Sequence, residues 1–316
     1  GSGSTQAFIA KDKEKEQNMR IRPFDFKIAS SLRDAVNQLD LLGPDARVIA
    51  GGTDLVLNLK KKKVLPKAVI SLHSIKDLDY IQEKNGMIHI GALAKHADIA
   101  TNPILQKKLS ILCQAVGLIG SWQIRNVGTI GGNLCNASPA ADSAPALLTL
   151  GAKIVIVSQQ GEKEIPVDAF FIGPGQTVLQ ANEVLKEIRL KCPENSSAGC
   201  YLKLRRRQAV DISLAGVAFQ AELDTSGQKL TDVKIALGGV APTPIRVPDA
   251  ENCLIGLPLE EAIQKIPMCA EAATSAAKPI DDLRASADYK RTIVNVFMHR
   301  SANQVLTTLK NKGGKK

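Results

Sequence analysis

The 316 residues carry 41 lysines and arginines against 31 aspartates and glutamates, a formal charge of +10, and 44% of them are hydrophobic. Length and apolar content suffice for two or three compact units with cores of their own, and no uninterrupted apolar run reaches the roughly 18 residues of a membrane-spanning helix. Basic runs occur at Lys60–Lys63, at Arg205–Arg207 and in the terminal KNKGGKK, but an aromatic content of 3% argues against nucleic acid, which needs stacking platforms. An acidic protein partner suits the excess charge better, since steering toward it needs only a basic face. Lys60–Lys63 reads as a solvated helix end. The six cysteines, at 113, 135, 192, 200, 253 and 269, show no CxxC or cluster spacing. Neither a structural zinc nor an iron–sulfur cluster is expected on this chain, and reduced thiols in a cytoplasm are.

Residues 1–18, GSGSTQAFIAKDKEKEQN, read as a tag or disordered arm ahead of Met19. From Phe24 to Ser74 the pattern is strand, helix, strand, glycine turn, helix, strand. The first helix spans Ser31–Leu42, with Ser31 as its N-cap and Gly43 past its end. From Leu78 to Leu190 short strands alternate with helices, including an apolar-periodic NPILQKKLSILCQAVGLI and a buried strand at GAKIVIVS. Between these, QIRNVGTIGGNLCNASPAAD (123–142) is dense in small and polar residues without a period, and predicts a long ordered loop. Loops of that kind are uncommon unless they hold something. KCPENSSAGC is the best boundary, followed by antiparallel strands at VDISLAGVAFQAEL and LTDVKIALGGV and helices at PLEEAIQKI, EAATSAAK and SADYKRTIVNVFMHRSANQVLTTL. The expected division is 19–192, with a small α/β lobe at 19–75 and a larger lobe at 76–192, and then a second domain at 193–316.

Two double-glycine turns stand out, Gly51-Gly52-Thr53 and Gly131-Gly132-Asn133. Bare backbone lets N–H groups approach an anion closely, and the polar residues Thr53, Thr129 and Asn133 add donors, so the pair could clamp one diphosphate from both sides. Neither matches GxGxxG or GxxxxGK[ST], which disfavours the dinucleotide fold and the P-loop. Either turn alone is most often an ordinary turn.

The segments FDFKIASSLRDAVNQL, AGGTDL, IHIGALAKHADI, IRNVGTIGGNLCNASPAADSAPALL, FFIGPGQT, YLKLRRRQAVDISLAGVA, KIALGGVAPTPIR and PIDDLRASADYKRTIVNVFMHRSA span nearly the whole chain. In that order they resemble the FAD-binding subunits of the molybdenum hydroxylases, namely the medium subunits of carbon monoxide dehydrogenases and the FAD domains of xanthine dehydrogenases. The resemblance implies an α+β fold, with a two-lobed FAD-binding domain of the vanillyl-alcohol oxidase/cell-wall reductase type followed by a domain of antiparallel sheet plus helices. It implies that Val48, Ile49, Ala50, Gly51, Gly52, Thr53, Asp54 and Leu55, with Gly128, Thr129, Gly132, Asn133, Cys135 and Asn136, wrap the pyrophosphate and ribityl parts of FAD. It puts Asp142 near the polar part of the cofactor, Lys203 near the flavin ring, and Val178 and Leu179 among the cofactor contacts. Ile119 stands where xanthine oxidases cover the ring with phenylalanine, a departure that bears on the electron acceptor. AGGTDL offers no histidine or cysteine for a flavin bond, so the FAD is expected to be non-covalent.

The same resemblance implies an electron-transfer subunit without catalytic or metal-ligating residues of its own. Its partners would be a small subunit with [2Fe–2S] clusters and a large subunit with the molybdenum cofactor, in a dimer of heterotrimers, with NAD or another acceptor taking the electrons. A self-sufficient FAD oxidoreductase of the related superfamily would instead carry a substrate domain with a proton donor, and a basic scaffold would leave the glycine turns without a ligand. Some residues stay open to plainer readings. Asp142 suits a helix cap, Lys203 a solvated strand position, His96 capping or packing, Trp122 packing, and Cys135 a small buried hydrophobe.

Overall fold

The computed structural model describes residues 20–193, 196–207 and 210–313, so the arm expected at 1–18 and Met19 lie outside it. The chain begins with a three-stranded parallel sheet in the order β1-β3-β2, formed by Asp25–Ile28, Ala46–Ile49 and Ala68–Ser71. Helix α1 (Leu32–Leu42) connects β1 to β2 and buries Ala35, Val36 and Leu39. Both expected signals bound this helix: the Ser31 hydroxyl accepts from Asp34 N, and Gly43 follows the last turn with φ +59°. The first glycine turn then leads into α2 (Leu55–Lys60).

The middle of the chain forms an antiparallel sheet in the order β4-β5-β10-β6-β7, made of Ile81–Lys84, Met87–Gly91, Val184–Lys191, Lys153–Ser158 and Gly161–Pro166. Helices α3 (His96–Thr101), α4 (Pro103–Lys108), α5 (Ser110–Gly117), α6 (Trp122–Val127), α7 (Ile130–Cys135) and α8 (Ser143–Thr149) lie between β5 and β6. A small ribbon, β8 (Phe171–Gly173) with β9 (Gln176–Thr177), precedes β10.

Four expectations are corrected here. Strands do not alternate with helices from Leu78 to Leu190, since six helices follow one another between β5 and β6. The periodic stretch after Asn102 is two helices broken at Leu109: α4 is amphipathic and buries only Leu105, whereas α5 is apolar on most sides and buries Ile111, Leu112, Cys113, Ala115 and Val116. A surface helix and an interior helix need different directions, which the break supplies. The supposed loop 123–142 contains most of α6 and all of α7. The second glycine pair therefore lies in the first turn of a helix that Thr129 caps, and not in an open turn after a strand.

The last part is an antiparallel sheet, β11 (Ser197–Leu204), β12 (Ala215–Leu223), β13 (Leu230–Gly238) and β14 (Ile245–Arg246), in that order. The strand expected to begin at VDISL starts only at Ala215. A short α9 (Pro248–Asn252) precedes α10 (Leu259–Ala276) and α11 (Ala287–Gly313), which pack together. The two helices expected at 258–278 are one, running through Pro267. That proline removes one helical hydrogen bond, but Ala262, Ile266, Cys269, Ala270 and Ala273 on both sides are buried, and this packing holds the helix continuous.

Alternation along β11 decides how this sheet meets the rest of the molecule. Ala198 and Cys200 join the core formed with α10 and α11, while Tyr201 joins the core of the middle region. Side chains at odd-numbered positions of β11 therefore point toward α5 and α8. No helix among the described residues is long and apolar enough to cross a membrane.

Candidate functional site

The turn after β2, the α6–α7 segment, the turn before α8 and strand β11 converge on a cavity of about 620 Å³, within the range of small-molecule and cofactor sites. Of the residues predicted from sequence, Val48, Ala50, Gly51, Gly52, Thr53, Asp54, Leu55, Ile119, Thr129, Gly132, Asn133, Cys135, Asn136, Asp142, Leu179 and Lys203 line it. Ile49, Gly128 and Val178 stand behind the wall. The Ile49 carbonyl accepts from Leu72 N, Gly128 accepts from His96 N, and Val178 N donates to Phe170 O. Arg47, Leu93, Glu183–Leu185 and the Val210–Ser213 segment also line the cavity. No local motif marks them, because distant strands and turns bring them in.

The glycines do two different jobs. A Cβ on Gly51 would lie 2.0 Å from the Val127 carbonyl oxygen, and one on Gly131 would lie 2.7 Å from the Ala92 carbonyl oxygen. Gly51 thus lets the first turn pack on the backbone of the α6–α7 segment, and Gly131 lets α7 pack on the backbone at Ala92, just after β5. Gly52 has φ +73°, which the turn requires. Gly132 lines the cavity, and its nearest neighbour is the Thr129 hydroxyl, which accepts from Gly132 N at 3.2 Å. Asn133 accepts at 2.6 Å from the Ser143 hydroxyl, which ties α7 to α8.

Another part of the wall is charged. Lys203 Nζ donates to Asp142 Oδ2 at 2.7 Å and to the Leu118 carbonyl at 3.0 Å, and the Tyr201 hydroxyl donates to Asp142 Oδ1 at 2.8 Å. The lysine side chain is 2% exposed and the aspartate 6%, so the reading of Lys203 as a solvated strand residue is wrong. Asp142 occupies the N-cap position of α8 but makes no capping bond, because its carboxylate turns to β11 instead. Burial pushes the Asp142 carboxyl above the usual range, against the opposing pull of Lys203 and Tyr201, and burial beside Asp142 pushes the Tyr201 hydroxyl well up. The Leu118–Gly120 segment is held at each carbonyl in turn, by Lys203 Nζ, by Arg125 Nη1 on Ile119 at 2.8 Å, and by Val210 N on Gly120 at 3.3 Å. Ile119 is thereby fixed as cavity wall.

Cys135 and Trp122 depart from their plainer readings, while His96 is packed as that reading has it, 2% exposed. His96 opens α3 and lines the cavity, and its buried Nδ1 has no hydrogen-bond partner; burial, aided by Arg125, pushes its pKa down to about 4. Cys135 is open to the cavity and not a buried hydrophobe, and desolvation by the residues packed around its sulfur pushes the thiol up. Trp122 is 68% exposed, outside any core, with the Arg125 guanidinium 4.8 Å from its ring centre. The basic run Arg205–Arg207 is folded back by Asp211, whose Oδ2 accepts from the backbone of Arg206 and Arg207. Among the described residues no cluster of His, Cys, Asp or Glu could hold a metal ion, and the six cysteines are free.

A glycine-lined cradle, with the unpaired buried His96 Nδ1 in its wall, is the kind of polar surface that a diphosphate-bearing cofactor needs. Residues 22–191 match the FAD-binding domain in molybdopterin dehydrogenase, and residues 200–305 match the CO dehydrogenase flavoprotein C-terminal domain. The chain is 34% identical to the carbon monoxide dehydrogenase medium chain of Hydrogenophaga pseudoflava, over 89% of this chain and 96% of that one. It is 31% identical to the putative xanthine dehydrogenase FAD-binding subunit of Escherichia coli K12, over 92% and 99%. The solved structure of the Hydrogenophaga carbon monoxide dehydrogenase that lacks the Mo-pyranopterin moiety superposes with a TM-score of 0.86 at 33% identity, covering 92% of this chain and 99% of that one. This is a flavoprotein of mixed helix and sheet. The chain belongs to the FAD-binding medium subunits of the molybdenum hydroxylases.

Proposed function

We propose that this chain is the electron-transfer subunit of a heteromeric molybdenum hydroxylase, that it holds one FAD non-covalently in the 620 Å³ cavity, and that it passes electrons from the [2Fe–2S] clusters of a small partner to NAD or another acceptor. The large partner would carry the molybdenum cofactor, in a dimer of heterotrimers in the cytoplasm. One observation carries the reading: the two glycine segments, far apart in sequence, meet backbone to backbone at Gly51 and Val127 and line one cavity with Thr53, Gly132 and Asn136. The proposed division follows from it, with lobes at 19–75 and 76–192 of the vanillyl-alcohol oxidase type closing on the cofactor, and 193–316 contributing β11 to its wall.

FAD, when bound, supplies reversible electron uptake and release, which no side chain here provides. The residues bind and orient it. Thr53 and the backbone around Gly52 and Gly132 serve the diphosphate, while Ile119 and Leu179 bound the apolar part. Lys203 and Asp142 stand at the ring end. Cys135 lies in the cavity with its thiol pushed up and so protonated, which agrees with a cofactor held without a thioether bond. Relatives named for carbon monoxide, xanthine, glyceraldehyde and nicotinate share this subunit, which supports substrate choice by the large partner.

Acid precipitation is expected to release yellow FAD into the supernatant, and flavin retained in the pellet would refute the non-covalent assignment. Gly132→Val is expected to abolish FAD binding. Because a Cβ there presses on the Thr129 hydroxyl at 2.9 Å, its thermal melt is measured beside Thr129→Ala, which removes the cap without filling the cavity. Normal flavin content in a folded Gly132→Val protein would move the site elsewhere.

A further inference from the structure

Lys203 and Tyr201 project from the same face of β11, two residues apart, and grip the two oxygens of one carboxylate. The arrangement is built for this. Gly216, paired with Lys203 across β11 and β12, leaves the space that Tyr201 occupies, since a Cβ there would come within 2.5 Å of the tyrosine hydroxyl. All three polar groups are buried, and each has its partner within 3.0 Å. We propose that Asp142, Lys203 and Tyr201 form one charge-neutral unit in the cavity wall, in which Asp142 cancels the Lys203 ammonium, so that Lys203 acts as a strut holding Leu118–Gly120 and not as a free cation toward the flavin. Asp142 and Tyr201 are thereby positioning residues for Lys203. This rests on the reading that the cavity holds FAD.

The physical argument turns on what each deletion leaves behind. Removing Asp142 strands an ammonium in a poorly hydrated site, where its field is stronger than in water. Removing Lys203 strands a carboxylate that burial already disfavours, and taking up a proton restores neutrality. Among the described residues, other charged groups nearby include Arg125 on the Ile119 carbonyl, Arg205, further along the chain from β11, and Asp211 at the cavity edge, itself occupied by the backbone of Arg206 and Arg207. The two deletions are therefore asymmetric, whereas a free cation and a free anion would give equal and opposite effects.

The test is a redox titration of the FAD-loaded full chain, with an infrared spectrum of the same variants without FAD. Asp142→Asn is expected to tilt the reduced-to-oxidised flavin ratio at fixed potential about tenfold toward reduced, about 30 mV for a two-electron couple. Lys203→Met, and Lys203→Gln alongside it, should leave the ratio near that of the parent, and Asp142→Asn/Lys203→Met should restore it. The infrared spectrum of Lys203→Met should carry a protonated-carboxyl band at neutral pH that is missing from the parent and from the double variant. A tenfold tilt toward oxidised in Lys203→Met, or absence of the band, overturns the neutral unit. Presence of the band with identical flavin ratios in every variant overturns the proposal differently, because the unit would exist away from the flavin and the cavity assignment would fall with it.

Discussion

The two ends of the cavity are made of different material. Around β2 and α7 the wall is backbone and small residues: Gly51, without a Cβ, meets the Val127 carbonyl oxygen 2.0 Å from where one would stand, and Gly131 likewise seats α7 on the Ala92 carbonyl oxygen at 2.7 Å. Around β11 the wall is side chain, a lysine and a tyrosine on one aspartate, all three buried. The first end is dictated by sterics within two short segments. The second depends on electrostatics between residues about sixty positions apart, since Asp142 and Lys203 are separated by 61. A steric end tolerates no added atom. An electrostatic end tolerates shape changes but no unbalanced charge.

The sharpest break of the first end is Gly51→Val, whose side chain must displace the Val127 carbonyl. A loss on the order of 3 kcal/mol is expected together with loss of flavin, and a denaturant titration of the FAD-free protein checks it. His96, whose backbone donates to Gly128 in the α6–α7 segment, has an effect of similar size that depends on pH. The folded chain keeps the ring neutral down to about 4, whereas the unfolded chain takes a proton near 6.5. Unfolding thus binds a proton in that window, so stability present above about 6.5 is lost as pH falls toward 4, on the order of 3 kcal/mol in all. His96→Gln should flatten that slope, and an unchanged slope would remove His96 as its source.

At the charged end Tyr201→Phe leaves Asp142 Oδ1 without its donor, and about 2 kcal/mol is expected from thermal melts. Thr129→Ala deletes the cap of α7 and should cost about 1 kcal/mol, with flavin still bound in part. Lys61→Met, in the exposed run after α2, should stay within about 0.5 kcal/mol of the parent and leave the flavin potential unmoved. A larger effect there would mean that the basic run is part of the site.

Local chemistry was readable where it acts over a few residues. Ser31 and Gly43 bound α1 as capping rules require, and the glycine segments pointed to the steric end of the cavity. The same rules misjudged the surroundings of the second pair. Gly131 and Gly132 sit inside a helix because Thr129 caps it and because Ile130 and Leu134 are buried beneath it. Lys203 was found by family resemblance, yet its partnership with Asp142 and Tyr201 carries no signature along the chain. His96 reads from sequence as capping or packing, and it is packed, but that its ring also lines the cavity carries no local signal.

The amino-acid order marked the family through the resemblance of its motifs, and it marked the elements of the first lobe and the small residues that let backbones meet, because these last depend on propensity, periodicity and the absence of a Cβ. Only the tertiary structure decided that an aspartate before α8 and a lysine on β11 share one buried charge balance, and that Val210–Ser213 and Glu183–Leu185 complete the wall. Electrostatic energy depends on distance and burial, and neither is defined until the sheets and helices have packed.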